Sequence, residues 1–148
     1  MTLNRNYIAG DWVEGVDVNR NLNPSNTNDV VGEYARASKA QAESAIDAAA
    51  AAAPGWAAAT PQQRADALDM IGSEILARKD ELGRLLSREE GKTLPEGIGE
   101  AMRAGQIFRF FAAEAVRVPG EKIASTRPGV DVEITREPVG VAGLITPW

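Results

Sequence analysis

The stretch that decides the fold class is residues 136–148, Arg-Glu-Pro-Val-Gly-Val-Ala-Gly-Leu-Ile-Thr-Pro-Trp. Between Val139 and Ile145 the residues are apolar or glycine at every position, so neither face of an extended chain would be polar. This pattern is typical of a strand buried on both faces, as in parallel sheets that helices cover. We therefore expect an α/β fold in which residues 139–145 form a central strand.

Four helices are expected upstream of this segment, because three of their starts are marked by capping patterns. Ser38 is followed three residues later by Gln41, and the stretches 60–63 and 93–96 repeat a hydroxyl residue followed by Gln or Glu. Such pairs satisfy backbone N–H groups that have no partner inside the helix. The predicted helices span residues 39–53, 61–78, 80–90 and 94–116, the first ending near Pro54 and the third closed by Gly91.

Apolar residues recur at helical spacing in three of these segments, which indicates packing against a core rather than a cofactor role. These residues are Ala67, Leu68, Ile71, Ile75 and Leu76, then Leu82, Leu85 and Leu86, then Ile98, Met102, Gly105, Phe108 and Ala112. A chain of 148 residues is long enough to bury such a core.

The remaining segments are predicted to be extended. Tyr7-Ile8 and Trp12-Val13 flank a tight turn at residues 9–11, which predicts a hairpin, and residues 30–35 form a further short strand. Residues 130–135 alternate apolar and polar side chains, as expected of a strand with one solvated face.

Composition excludes several classes of function. The 148 residues include no cysteine and no histidine, so no thiol nucleophile, disulfide or imidazole base is available. The net charge of −5 argues against a nucleic-acid or anionic-membrane partner. No secretory leader or bilayer-spanning segment is recognised, so a cytoplasmic location is expected.

Several motifs together resemble the aldehyde dehydrogenase family. They are Tyr-Ile-Ala-Gly-Asp-Trp-Val at 7–13, Asn23-Pro24, Val31-Gly32, Glu-Glu-Gly-Lys at 89–92 followed by Glu96 and Glu100, and the segment 136–148. The resemblance implies a Rossmann-like NAD(P)-binding domain, a catalytic domain and a β oligomerisation arm. In that scheme residues 1–118 are the N-terminal part of the cofactor domain, 119–137 the arm, and 138–148 the first central strand of the cofactor sheet.

The resemblance also implies the site residues. Ile145, Thr146, Pro147 and Trp148 would line the NAD or NADP cleft, beyond the carboxyl end of the strand where ligands bind in open α/β sheets. For Pro147 and Trp148, closing the core is the competing interpretation. The asparagine, cysteine and glutamate that act in the family would lie beyond Trp148. Residues 140–143 do not form a G-x-G-x-x-G fingerprint, and no phosphate role is expected there.

Residues 23–32 and 91–96 are similar to α-ketoglutaric semialdehyde dehydrogenases, which implies oxidation of that aldehyde to 2-oxoglutarate by a homodimer or homotetramer. Succinic semialdehyde and betaine aldehyde are alternative substrates, because relatives that use them share these motifs. A non-catalytic module that binds a partner is the alternative from another class. The glutamates at 89–90, 96 and 100 are interpreted as solvated surface charge.

Overall fold

The computed structural model describes residues 3–146, and this part of the chain contains four helices and seven short strands. In chain order they are β1 Leu3–Asn4, β2 Asn6–Ile8, β3 Asp11–Val13, β4 Asp17–Asn23, β5 Asn26–Arg36, α1 Lys39–Ala58, α2 Pro61–Ala77, α3 Lys79–Glu90, α4 Leu94–Ala115, β6 Glu121–Ala124 and β7 Asp131–Ile134. The described chain therefore mixes helix and strand, as an α/β protein does.

The amino-terminal strands form a three-stranded sheet and a separate hairpin. β5 lies between β1, which is parallel to it, and β4, which is antiparallel. β2 and β3 pair as the predicted hairpin, and Ala9 and Gly10 both have positive φ in its turn, 54° and 95°. That backbone twist matches the right-handed twist of two paired strands. The strand expected at 30–35 lies inside the longer β5.

The capping patterns position the helices as expected. The Ser38 side chain accepts a hydrogen bond from the Gln41 N–H at 3.1 Å, and Gln41 accepts one from the Ser38 N–H at 2.9 Å. Thr60 and Gln63 make the same capping box at the start of α2, and in the box at the start of α4 both the N–H and the hydroxyl of Thr93 donate to Glu96. The observed bounds of α2, α3 and α4 lie within one residue of the prediction. Within residues 3–146, no helix combines the length and apolarity needed to cross a membrane.

The prediction that the first helix ends near Pro54 is wrong, since α1 continues through Pro54 to Ala58. Proline removes one N–H donor from a helix, and the carbonyl one turn earlier loses its partner. None of the residues of α1 is buried, so water can reach that carbonyl. Alanine on both sides has the highest helix propensity, which favours continuation across the defect.

Small residues line the contact between α2, α3 and α4. The buried positions of these helices are Ala65, Gly72, Gly83, Gly97, Ala101, Gly105 and Ala112. A Cβ added to Gly105 would lie 3.0 Å from the Gly72 carbonyl oxygen, and one added to Gly97 would lie 2.4 Å from the Gly83 carbonyl oxygen. The helix backbones therefore approach closely wherever two glycines face each other.

The larger apolar residues expected to form the core are partly uncovered. Ile71, Leu85 and Met102 are each 40% exposed, and the buried hydrophobic residues of the described chain are all alanines. Close backbone contact leaves little room for large side chains between the helices, so these side chains project from the edges of the contact. The expected stripes exist, but they do not enclose a core in this part of the chain.

β6 and β7 form an antiparallel hairpin within the predicted arm. β7 corresponds to the strand expected at 130–135, and it pairs with β6, in register from Glu121 opposite Ile134 to Ala124 opposite Asp131. All four residues of β6 are exposed. The hairpin contacts the rest of the described chain little, as expected of a projecting element.

The expected strand at residues 139–145 does not form in the described chain. Residues 135–146 have no regular secondary structure, and Val139, Leu144 and Ile145 are 101%, 92% and 97% exposed. A strand needs a neighbour to receive its backbone hydrogen bonds, and no described strand pairs with this segment. Its assignment to a cofactor sheet stays a prediction.

Candidate functional site

The predicted cofactor residues lie at the end of the described chain. Ile145 is 97% exposed, and Thr146 follows it with no regular secondary structure. Pro147 and Trp148 lie outside the described residues. The structure therefore describes two of the four predicted residues, and it does not test their predicted role.

The described residues do not by themselves fit a dinucleotide. A nucleotide site encloses most of its ligand and aims N–H donors or cationic groups at the phosphates. Leu144 and Ile145 are more than nine-tenths exposed, so no wall faces them in this part of the chain. We therefore assign no chemical step to a bound cofactor from these residues.

A polar cluster joins the amino-terminal sheet to α3. The Arg88 guanidinium donates two hydrogen bonds to the Asp29 carboxylate, Nη2 to Oδ1 at 2.6 Å and Nε to Oδ2 at 3.0 Å. Asn23 also donates to Asp29 Oδ2, at 3.1 Å. These bonds, with that of Arg88 first, lower the pKa of Asp29 from 3.8 to about 2. We call these three residues the Arg88 clasp.

Two further contacts reinforce the Arg88 clasp. Asn21 of β4 donates to Glu89 Oε1 at 2.7 Å. Gly91, which ends α3 with a φ of 75°, lies against the turn between β4 and β5, and a Cβ there would lie 2.9 Å from Pro24 Cγ. The left-handed backbone and this proximity both favour glycine at position 91. The Glu-Glu-Gly-Lys motif is thus fixed against the Asn-Pro turn.

Lys92 holds two of the glutamates that the sequence singles out. Its ammonium group lies 2.5 Å from Glu100 Oε1 and also pairs with Glu90. The hydrogen bonds that Lys92 donates to Glu100, and then to Glu90, raise the pKa of Lys92. The side chains of Lys92 and Glu90 are only 18% and 14% exposed. The lysine therefore neutralises negative charge where α3 and α4 meet.

The interpretation of the glutamates as solvated surface charge is wrong for Glu90. Its Oε1 is buried without a hydrogen-bond partner among the described residues, and its Oε2 pairs with Lys92. Glu96 has a local role instead: it accepts hydrogen bonds from the side chain and backbone of Thr93, which lower its pKa. Glu90 pairs with Lys92 and Glu96 caps α4, so both glutamates have structural roles.

The contacts found among these polar side chains are charge pairs and hydrogen bonds. The sequence has neither cysteine nor histidine. Residues 3–146 also hold no group of three or more histidine, cysteine, aspartate or glutamate side chains placed to bind a metal ion. That the family's catalytic residues lie beyond Trp148 stays a prediction.

Sequence reasoning missed the Arg88 clasp. Arg88 and Asp29 are 59 positions apart, and each stands in an ordinary polar stretch. No spacing rule links a strand residue to a helix residue at that distance. The usable signal was the resemblance itself, because the two segments that meet here, 23–32 and 89–92, are among those that carry it.

The chain belongs to the aldehyde dehydrogenase family, since the model of that family matches residues 12–148. Its relatives include the α-ketoglutarate semialdehyde dehydrogenase of Haloferax volcanii, 39% identical over 97% of this chain, and the α-ketoglutaric semialdehyde dehydrogenase of Bacillus subtilis, 36% identical over 97%. This chain spans 30% of the length of each.

A solved structure shows the same fold. Betaine aldehyde dehydrogenase from Staphylococcus aureus, in complex with NAD⁺, superimposes with a TM-score of 0.85 at 32% identity. The match covers 92% of this chain and 28% of that one. The arrangement of helices and strands described above is therefore that of an aldehyde dehydrogenase.

Proposed function

We propose that this chain is the N-terminal part of an enzyme that oxidises α-ketoglutaric semialdehyde to 2-oxoglutarate with NAD or NADP. The observation that carries the proposal is the match to two α-ketoglutaric semialdehyde dehydrogenases over 97% of the chain. The structure with NAD⁺ bound, which has the same fold over this part, supports a nicotinamide cofactor. Succinic semialdehyde and betaine aldehyde remain the alternative substrates.

Within that enzyme, Ile145, Thr146, Pro147 and Trp148 are proposed to line the cofactor cleft. The exposed apolar surface of Leu144 and Ile145 supports this placement, because such side chains are expected to be covered by further structure. The nucleophile and the general base are proposed to come from outside this chain, which has no cysteine and no histidine.

Residues 119–137 are proposed to be the arm through which subunits form a dimer or tetramer. The supporting observation is the β6–β7 hairpin, in which every residue of β6 is exposed. Of the described strands, none pairs with the outer edge of either β6 or β7. An open edge of this kind can add a strand from another subunit.

The test is a substrate comparison with the natural polypeptide that contains this sequence. Formation of reduced nicotinamide is measured with α-ketoglutaric semialdehyde, succinic semialdehyde and betaine aldehyde, each with NAD and with NADP. We expect kcat/KM to be highest for α-ketoglutaric semialdehyde. The 148-residue chain alone is the control, and it should give no turnover.

The possible outcomes test the proposed enzymatic activity and the proposed substrate separately. No turnover with any of the three aldehydes by the natural polypeptide would contradict the proposed activity and favour a non-catalytic binding module. Faster turnover of succinic semialdehyde or betaine aldehyde would show that the substrate assignment is wrong while the class stands.

A further inference from the structure

The helices α2, α3 and α4 pack into a layer in which two arginines have no partner among the described residues. Arg84 and Arg103 are both exposed, and neither makes a hydrogen bond or an ion pair within residues 3–146. The other basic side chains of residues 61–115 all have a partner there: Arg64, Arg78, Lys79, Arg88, Lys92 and Arg109.

Arg103 lies on the face of α4 that points away from α2 and α3. The buried residues of α4, which face those two helices, are Gly97, Ala101, Gly105 and Ala112. Positions four or seven apart share one face of a helix. Gly99, Arg103, Ile107 and Phe110 therefore lie together on the outer face of α4.

The surroundings of Arg103 on this outer face are open and largely apolar. Ile107 and Phe110 are 45% and 59% exposed. A Cβ added to Gly99 would meet nothing within 4 Å, so there is free space one turn before Arg103 as well. Arg103 is therefore a cation that is accessible from outside and has apolar neighbours.

The surroundings of Arg84 are different, because acidic residues lie near it on α3. Asp-Glu at 80–81 precedes Arg84 by three and four positions, the spacing at which opposite charges on a helix attract each other. Within one turn of Arg103 the only acidic residue of α4 is Glu100, which pairs with Lys92. Arg84 thus belongs to a charged surface, whereas Arg103 does not.

A cation with apolar neighbours matches an organic anion. A guanidinium group binds a carboxylate through two parallel hydrogen bonds, and apolar side chains favour contact with a hydrocarbon chain. α-Ketoglutaric semialdehyde, the substrate proposed above, has both parts, because a short carbon chain separates its carboxylate and keto group from the aldehyde. Betaine aldehyde carries a quaternary ammonium group instead, which a guanidinium repels.

We propose that Arg103 determines the substrate preference of the enzyme by binding the carboxylate of α-ketoglutaric semialdehyde. Ile107 and Phe110 form one wall against the carbon chain, and the absence of a side chain at Gly99 leaves room beside the guanidinium. Arg103 holds the carboxylate end, so the aldehyde end points away from α4. This inference rests on the proposed function and adds to it the residue that recognises the charged end of the substrate.

Substitution of Arg103 in the natural polypeptide that contains this sequence tests the inference. Arg103→Met removes the charge and keeps a long side chain. It should lower kcat/KM for α-ketoglutaric semialdehyde at least about tenfold, mainly by raising KM, because a charged hydrogen bond to the substrate is lost. It should leave kcat/KM unchanged for pentanal, an uncharged aldehyde of the same chain length. Arg103→Lys keeps the charge and should recover part of the loss.

Arg84→Met is the matched control, because it removes the other unpaired arginine of the layer. It should change kcat/KM for neither aldehyde. If Arg103→Met lowered kcat/KM equally for both aldehydes, or for neither, the inference would be overturned. An equal loss in Arg84→Met would overturn it too, since the effect would then come from net charge and not from position 103.

Binding of 2-oxoglutarate, measured by isothermal titration calorimetry, tests the inference separately from the proposed activity. This product keeps the carboxylate beside the keto group, so the natural polypeptide and Arg84→Met should bind it at least about tenfold more tightly than Arg103→Met does. Equal affinities, or no binding by the natural polypeptide, would overturn the inference. Binding that depends on Arg103, together with no turnover of any aldehyde, would support the inference and contradict the proposed function alone.

Discussion

The layer formed by α2, α3 and α4 is fully helical in this structure, whereas the segment 135–146 has no regular secondary structure. Each helix of the layer satisfies its own backbone, with hydrogen bonds inside the helix and capping boxes at the starts of α2 and α4. Within the segment 135–146, residues 139–145 are apolar or glycine at every position, yet they form no strand in the described structure.

The difference shows what each kind of element requires. The backbone hydrogen bonds of a helix join residues of the same helix, and nearby side chains cap its ends. Local sequence can therefore determine where a helix begins and ends. A strand depends on a neighbour, and a strand buried on both faces also depends on layers above and below. Apolar character therefore predicts where a central strand could lie, and its partners decide whether it forms.

The largest effect is expected where the helix layer is most tightly packed. Gly97→Ala should lower the free energy of unfolding by about 1–3 kcal/mol, because the added methyl group would lie 2.4 Å from the Gly83 carbonyl oxygen and the backbone would have to move. Chemical denaturation measures this change.

Gly99→Ala is the matched control for that substitution. It lies on the same helix, with nothing within 4 Å of the added Cβ, and it should stabilise the protein by about 0.5–1 kcal/mol through helix propensity. A stabilising effect at position 97 would show that the close contact between α3 and α4 is not a constraint.

The Arg88 clasp should give a smaller, pH-dependent effect on the contact between the sheet and the helix layer. The pKa of Asp29 is about 2 when folded, against 3.8 for the free group. Its stabilising contribution is therefore fully present above pH 3.8 and is lost as the pH falls through about 2. Protection factors for amide hydrogen exchange in β4 and β5, which correct for the pH dependence of intrinsic exchange, should fall over this range.

Asp29→Asn removes the titrating carboxylate but keeps a similar shape. In this variant exchange in β4 and β5 should be faster than in the natural chain at neutral pH, and this acid-dependent component should be absent. Glu33→Gln is the control. Glu33 lies on the same strand as Asp29, and its substitution breaks only the surface ion pair with Arg20 of β4, so it should change exchange less. If Asp29→Asn and the natural chain gave identical acid profiles, the Arg88 clasp would not be the source of the pH dependence.

The smallest effect is expected at an isolated helix start. Thr60→Ala breaks the capping box with Gln63 and should lower the free energy of unfolding by about 1 kcal/mol. Thr60→Ser retains the hydroxyl group and should be nearly neutral. Equal losses for the two substitutions would mean that the cap hydrogen bond is not what stabilises α2.

How far the sequence predicts this molecule depends on the range of the interaction. Ser38, Thr60 and Thr93 announce three helix starts correctly, since their partners are three residues away. Pro54 misled the prediction because its cost depends on whether water reaches the freed carbonyl. The pairing of Lys92 with both Glu90 and Glu100 could not be foreseen, because it depends on how α3 and α4 pack.

The sequence by itself determined the four helices, the hairpin at Tyr7–Trp12, the family, and the absence of a nucleophile of the cysteine or histidine type, because these follow from local hydrogen bonding, from motifs and from composition. Tertiary structure alone decided that Arg88 binds Asp29, that small rather than large residues fill the helix contacts, and that residues 139–145 stay uncovered in this chain. Those outcomes depend on which surfaces meet in space, and no local pattern carries that information.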